Sequence, residues 1–180
     1  MKRSFTGLLL LFLLFFGFAT SIWSQSTTLE KPTETQQQLS WPEVIAYAKK
    51  HLPQEGVLVR NPDGFTYIKV DDAYIHDLFP MLNLKEEGYT EPPYFRSPEA
   101  PGAHISVFYV DEKILPEELG QTFPFELNDI VIVKPKKDTS YAVLQVTSPE
   151  LEALRVKYGL SPKLHGHEYH ISIAKKVFRK

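Results

Sequence analysis

His104-Ile105-Ser106-Val107-Phe108 and His170-Ile171-Ser172-Ile173-Ala174 are two copies of one pattern, 66 residues apart. Side chains alternate between the two faces of an extended strand. Ile105, Val107 and Tyr109 therefore share one face, as do Tyr169, Ile171 and Ile173. His104 with Ser106, and His170 with Ser172, take the opposite faces. If the two strands lie side by side, two imidazoles and two hydroxyls converge on one cleft. A single His-x-Ser means little in a chain with 11 Ser, 11 Thr and six His. The weight comes from context: both copies open strong strands, both set their apolar residues on the other face, and both fall at matching places in the two halves.

The surrounding sequence supplies those halves. Ser40-Trp41-Pro42-Glu43 is a capping box that predicts a helix to about Leu52, with Val44, Ile45, Tyr47 and Ala48 on its apolar side. Val57 to Arg60 and Phe65 to Val70 read as strands joined by the turn Asn61-Pro62-Asp63-Gly64. Asp71 or Asp72 caps a helix carrying Tyr74, Ile75, Leu78 and Phe79, which Pro80 should disturb. Leu84 to Gly102 is a long, polar, Pro-rich loop, and Ala103 to Val110 is a strand. In the second half, Glu112 to Glu118 suggests a short helix that Pro116 interrupts. Phe123 to Lys134 reads as a strand, Pro135 to Asp138 as a turn, and Tyr141 to Thr147 as its antiparallel partner. Ser148-Pro149-Glu150-Leu151 starts a helix ending near Gly159, Ser161 to Gly166 is a loop, and Glu168 to Ala174 is the last strand. The order predicts an α+β fold with weak internal duplication, each half consisting of strands with a packed helix.

An apolar fraction of 43% and a charged fraction of 23% describe a chain that folds around a core. Zero Cys excludes disulfides, Cys-based zinc sites, iron–sulfur clusters, thiol nucleophiles and a Cys-linked lipid anchor. A formal charge of −2 argues against gripping long nucleic acid by charge alone. Lys2 and Arg3, the apolar run Gly7 to Phe18 and the small residues Ala19, Thr20 and Ser21 have the layout of a secretory signal, so residues 1–26 read as a signal peptide. Cleavage predicts a secreted or periplasmic protein without stable membrane contact; an uncleaved anchor through residues 7–23 is the alternative. Thr27 to Gln38 reads as a polar linker, which leaves residues 39–180 as one folded unit, expected to be a monomer.

With both motifs in view, the chain resembles the two-histidine (2H) phosphoesterase superfamily over roughly Leu39 to Lys180. The resemblance rests on His104-Ile105-Ser106 and His170-Ile171-Ser172, their apolar strand context and their separation. Val107 stands where the first motif of the superfamily often has Leu. The resemblance implies a bilobal α+β fold, two antiparallel sheet lobes with packed helices and a central cleft, one motif from each lobe. Activities known in the superfamily are 2′,3′-cyclic phosphodiesterase, RNA-end processing and RNA 2′-5′ ligation. It implies His104 and His170 as an acid–base pair, with Ser106 and Ser172 holding the nonbridging phosphoryl oxygens. No cofactor or metal is expected. The substrate expected is a small cyclic phosphodiester, such as a nucleoside 2′,3′-cyclic phosphate, or an RNA end carrying one.

Weaker candidates surround the pairs. Phe108 continues the cleft face of its strand and offers a ring to a base. Tyr94, Phe95 and Arg96 occupy the long loop before His104, where a lid or base platform is expected. Lys163 and His167 precede the second motif, within reach of a phosphate. His165, His167 and His170 also invite a metal reading, which strand parity opposes, because an extended chain points His170 away from the other two. Lys134 to Lys137 reads as a solvated hairpin tip. Two alternatives stand beside the enzyme: a non-catalytic protein that binds a nucleotide or RNA end in the same cleft, and an exported interaction protein whose histidines are structural.

Overall fold

The computed structural model describes residues 41–97 and 99–178; the predicted leader, the linker and the Ser40 end of the capping box lie outside them. Among the described residues seven antiparallel strands form one sheet: β1 (Glu55–Arg60), β2 (Thr66–Lys69), β3 (His104–Phe108), β4 (Thr122–Pro124), β5 (Glu126–Lys136), β6 (Thr139–Thr147) and β7 (Tyr169–Val177). Their order is β4-β1-β2-β3-β7-β6-β5. The predicted lobes are the two halves of this sheet, β4-β1-β2-β3 and β7-β6-β5, and they meet where β3 pairs with β7 at Ile105↔Ile171.

The sheet is strongly curled. β4 pairs with β1 at one edge and β5 pairs with β6 at the other, yet only Phe125 separates β4 from β5. A flat seven-stranded sheet would set its edges roughly 30 Å apart. One residue covers less than about 4 Å, so the edges must come round to each other. This corrects the expectation of a single strand from Phe123 to Lys134: the run divides at Phe125, whose N–H bonds to Gln54 O at 3.0 Å. Pro135 is accommodated inside β5 because that strand is an edge.

The helices α1 (Trp41–His51), α2 (Ala73–His76), α3 (Leu78–Met81) and α4 (Pro149–Lys157) cover the sheet crosswise. α1 packs on β5, and α2 and α3 pack on β7, whereas α4 packs on β3 and β4. Helices from each half of the chain thus cover strands of the other. That locks the two halves together through a shared core of Val44, Tyr74, Ile75, Ile105, Phe108, Leu144, Leu151 and Ile171. Local signals act as the sequence requires at some ends and not at others. Ser148 Oγ accepts the Leu151 N–H at 3.3 Å and donates to Pro124 O at 2.7 Å, capping α4. Of the two candidate caps before α2, Asp72 makes no side-chain cap bond, whereas Asp71 Oδ1 accepts the Ala73 N–H at 2.9 Å. Pro80 sits inside α3, and the break falls earlier, at Asp77. Of the expected helix Glu112 to Glu118, only a 3-10 turn at Val110–Glu112 forms. Among the described residues no helix is long and apolar enough to cross a membrane.

Candidate active site

Both motif strands carry the same irregularity. Between β2 and β3 the register steps from Tyr67↔Ser106 to Thr66↔Phe108, so Val107 is an extra residue. Between β6 and β7 it steps from Val143↔Ser172 to Ala142↔Ala174, so Ile173 is an extra residue. Each strand bulges one position after its motif Ser, and bulges re-aim side chains next to functional sites. The burial sequence is the same in both: His and Ser partly exposed, Ile buried, then two consecutive buried residues.

The bulge moves two residues from the faces that strict alternation assigns. Phe108, expected at the cleft, is fully buried, edge-on to Tyr158 with ring centroids 5.8 Å apart and with the Arg155 guanidinium over its ring. Tyr109, expected in the core, is 38% exposed and lines the cleft. Arg155 secures the change. Its Nη1 donates to the carbonyl of the bulged Val107 at 2.5 Å, and its guanidinium pairs with both Glu112 carboxylate oxygens at 3.1 and 2.7 Å. Glu112 Oε2 in turn accepts the Tyr109 N–H at 2.9 Å. Burial pushes the Glu112 carboxyl up, but Arg155 and that N–H outweigh it and hold the carboxyl below its usual range.

A cleft of about 700 Å³, the size of a small-molecule site, opens over the junction of the two halves. His104, Ser106, His170 and Ser172 all line it. Continuing the antiparallel register from Ile105↔Ile171 sets His104 across from Ser172 and Ser106 across from His170. Each imidazole thus neighbours the hydroxyl of the other motif. The two rings are held alike. His104 Nδ1 donates to Gly102 O at 2.8 Å and His170 Nδ1 to Glu168 O at 3.0 Å, in each case the carbonyl two residues back. That contact leaves Nε2 as the free nitrogen of each ring.

Their surroundings differ. Three aromatic rings stand edge-on to His104: Tyr94, Tyr67 and Phe65, with centroids 4.8, 5.4 and 5.6 Å away. Burial in this collar lowers the His104 pKa below 6.5, against the pull of the Gly102 carbonyl; the nearby His170 and Lys69 lower it further. Burial raises the Tyr94 phenol, which therefore keeps its proton beside Ser172. Gly102 has φ +61, and a Cβ there would collide with Asp72 Oδ1 and Lys69 Nζ, which are themselves ion-paired. Asp72 Oδ1 also accepts the Ala103 N–H at 2.8 Å, so this cluster sets the backbone that holds His104.

The remaining candidates divide. His167 lines the cleft. Phe95 and Arg96 do not: Phe95 packs on His76 with centroids 4.5 Å apart, and Arg96 is exposed. Lys163 is ion-paired to Glu168 and also stands outside the cleft lining. The parity argument that separated His170 from His165 and His167 fails, because Leu164–Gly166 forms a 3-10 turn and all three line the cleft. Among the described residues no group of three or more His, Asp or Glu side chains is arranged to hold a metal ion. The sequence reading missed Tyr141, Val143 and Gln145 on β6 and Val133 to Pro135 on β5, and it had His165 only as a metal candidate. Alternation from Tyr141 to Gln145 would have found the β6 trio once β6 was known to pair with β7.

Comparisons with curated proteins and with solved structures gave no match. The sequence model of the family described as "Swiss Army Knife, 2H phosphoesterase domain" matches residues 66–178, from β2 past the end of β7. That span covers more than half of the chain and contains both motifs, and the curled antiparallel sheet with its few helices agrees with that fold. The chain belongs to the 2H phosphoesterase family.

Proposed function

We propose that this phosphoesterase is an exported, metal-independent phosphodiesterase that hydrolyses a cyclic phosphodiester, a nucleoside 2′,3′-cyclic phosphate or an RNA end carrying one. The observation that carries the reading is the pair of imidazoles, each tied through Nδ1 to its own backbone, on neighbouring strands in one cleft. Hydrolysis needs a base for the attacking water and an acid for the leaving oxygen. His104 suits the base: its aromatic collar disfavours the imidazolium, so Nε2 is a free acceptor at neutral pH. It takes the proton from water as the water oxygen bonds to phosphorus. His170, on the more open strand, gives a proton to the 2′ or 3′ oxygen as its bond to phosphorus breaks. Ser106 and Ser172, interleaved between the two rings, donate to the nonbridging oxygens as charge builds on them. This chemistry needs no ion to activate the water. Export rests on the leader pattern of residues 1–26.

The test is hydrolysis of the four nucleoside 2′,3′-cyclic phosphates by residues 27–180, with and without EDTA, beside His104→Ala and His170→Ala. Turnover insensitive to EDTA is expected, with each substitution costing about 10²–10⁴-fold in rate. Near-wild-type turnover by both folded variants would refute the acid–base pair, and loss of activity in EDTA would refute metal independence.

A further inference from the structure

Four rings form a near-parallel ladder whose outer two members, Tyr109 and His165, line the cleft. Tyr67 stacks with Phe65 at 5.1 Å and 25°, Phe65 with Tyr109 at 6.1 Å and 19°, and Tyr109 with His165 at 5.1 Å and 25°. All are offset-stacking geometries. The inner end touches the catalytic machinery, since Tyr67 and Phe65 belong to the collar of His104. The outer end is open: Tyr109 and His165 are exposed, line the cleft, and share a side pocket with Ser106 and His170.

The outer rings are held in place from several elements. The bulge after Ser106 turns Tyr109 to the cleft, and the buried Arg155–Glu112 pair fixes its backbone. His165 has φ +50, a left-handed conformation uncommon for a residue with a Cβ, which turns the loop here. Buried Leu164 anchors that loop on one side and the Lys163–Glu168 ion pair closes it. The other two tyrosines of the cleft lining are engaged elsewhere. Lys175 Nζ sits 5.5 Å from the centre of the Tyr141 ring, and Tyr94 stands edge-on to His104.

We infer that the Tyr109–His165 stack is a nucleobase platform, on which the base of a nucleotide continues the ladder while its phosphate lies between His104, His170 and the two serines. The inference rests on the phosphodiesterase reading for the place of the phosphate. It narrows the substrate class to phosphodiesters that carry an aromatic base, and excludes those on a bare sugar. Every base has a π-face, so the platform tolerates all four.

Binding tests this without turnover. Adenosine 2′-phosphate and the base-less 1-O-methylribose 2-phosphate would be titrated calorimetrically into wild type, Tyr109→Leu and His165→Ala. Both substitutions are at exposed positions and leave the core intact. The nucleotide is expected to bind wild type about tenfold or more tightly than the base-less ligand, from stacking. Each variant should lose most of that margin, while the base-less ligand binds as before. Equal binding of the two ligands by wild type, no binding of either, or nucleotide affinity unchanged in both variants would overturn the platform. Failure of the phosphodiesterase reading shows separately, as absent hydrolysis of cyclic phosphates by a protein that still prefers the base-bearing ligand.

Discussion

β3 and β7 share a backbone and differ in what surrounds it. Each presents His-Ile-Ser, bulges one residue past the Ser, and ties its imidazole to the carbonyl two residues back. On β3, three aromatic rings enclose the histidine and a buried ion pair stands behind the strand. On β7, the neighbours of His170 are Gln145 on β6 and the exposed loop from His165 to Glu168. The same device thus stands in two settings, and the enclosed one lowers the pKa of His104, as the proposed base requires. The repeated motif supplies the shared geometry, and the proposed division between base and acid rests on the difference in surroundings.

After the two imidazoles, the shared part breaks most severely at the hydroxyls. Ser106→Ala and Ser172→Ala should each lower kcat by about 10²–10³-fold, the usual loss for one donor to a developing oxyanion, and steady-state kinetics on a cyclic phosphate will show it. Similar losses in both would mean that the two copies contribute alike. Next comes Gly102→Ala. Its Cβ must displace the Lys69–Asp72 pair or the backbone that holds His104. A loss of about 10²-fold in kcat/KM is expected, as for an angstrom-scale misplacement of a catalytic group. Only β3 has this device, so the effect should fall on the limb of the pH profile that His104 governs. The smallest effect sharpens the difference itself. Opening the collar by Tyr94→Ala or Phe65→Ala rehydrates His104, whose pKa should climb back toward 6.5. The acidic limb of kcat/KM should move upward by less than about one pH unit, with the alkaline limb unmoved.

Much of this comparison is local and therefore legible in the sequence. Alternation within His104-Ile105-Ser106 and His170-Ile171-Ser172 already separates the polar pair from the apolar face. It stops being informative at Val107-Phe108-Tyr109-Val110, where every residue is apolar and an inserted residue leaves no mark. Phe108 and Tyr109 consequently exchange faces. The division at Phe125 is hidden for a similar reason, because strand-forming residues continue across it and only the curl of the whole sheet separates the two pairings. The crosswise helices and the Tyr109–His165 stack are long-range arrangements that no local period encodes.

The division of labour is tested most directly by the pH dependence of kcat/KM for wild type, His104→Ala and His170→Ala on one nucleoside 2′,3′-cyclic phosphate. Wild type should give a bell whose acidic limb lies below the ordinary imidazole value of 6.5, because the base has the depressed pKa. His104→Ala should keep a residual rate without the acidic limb, and His170→Ala one without the alkaline limb. An acidic limb that survives His104→Ala and vanishes in His170→Ala would contradict the assignment, and both limbs surviving in both variants would contradict the pair.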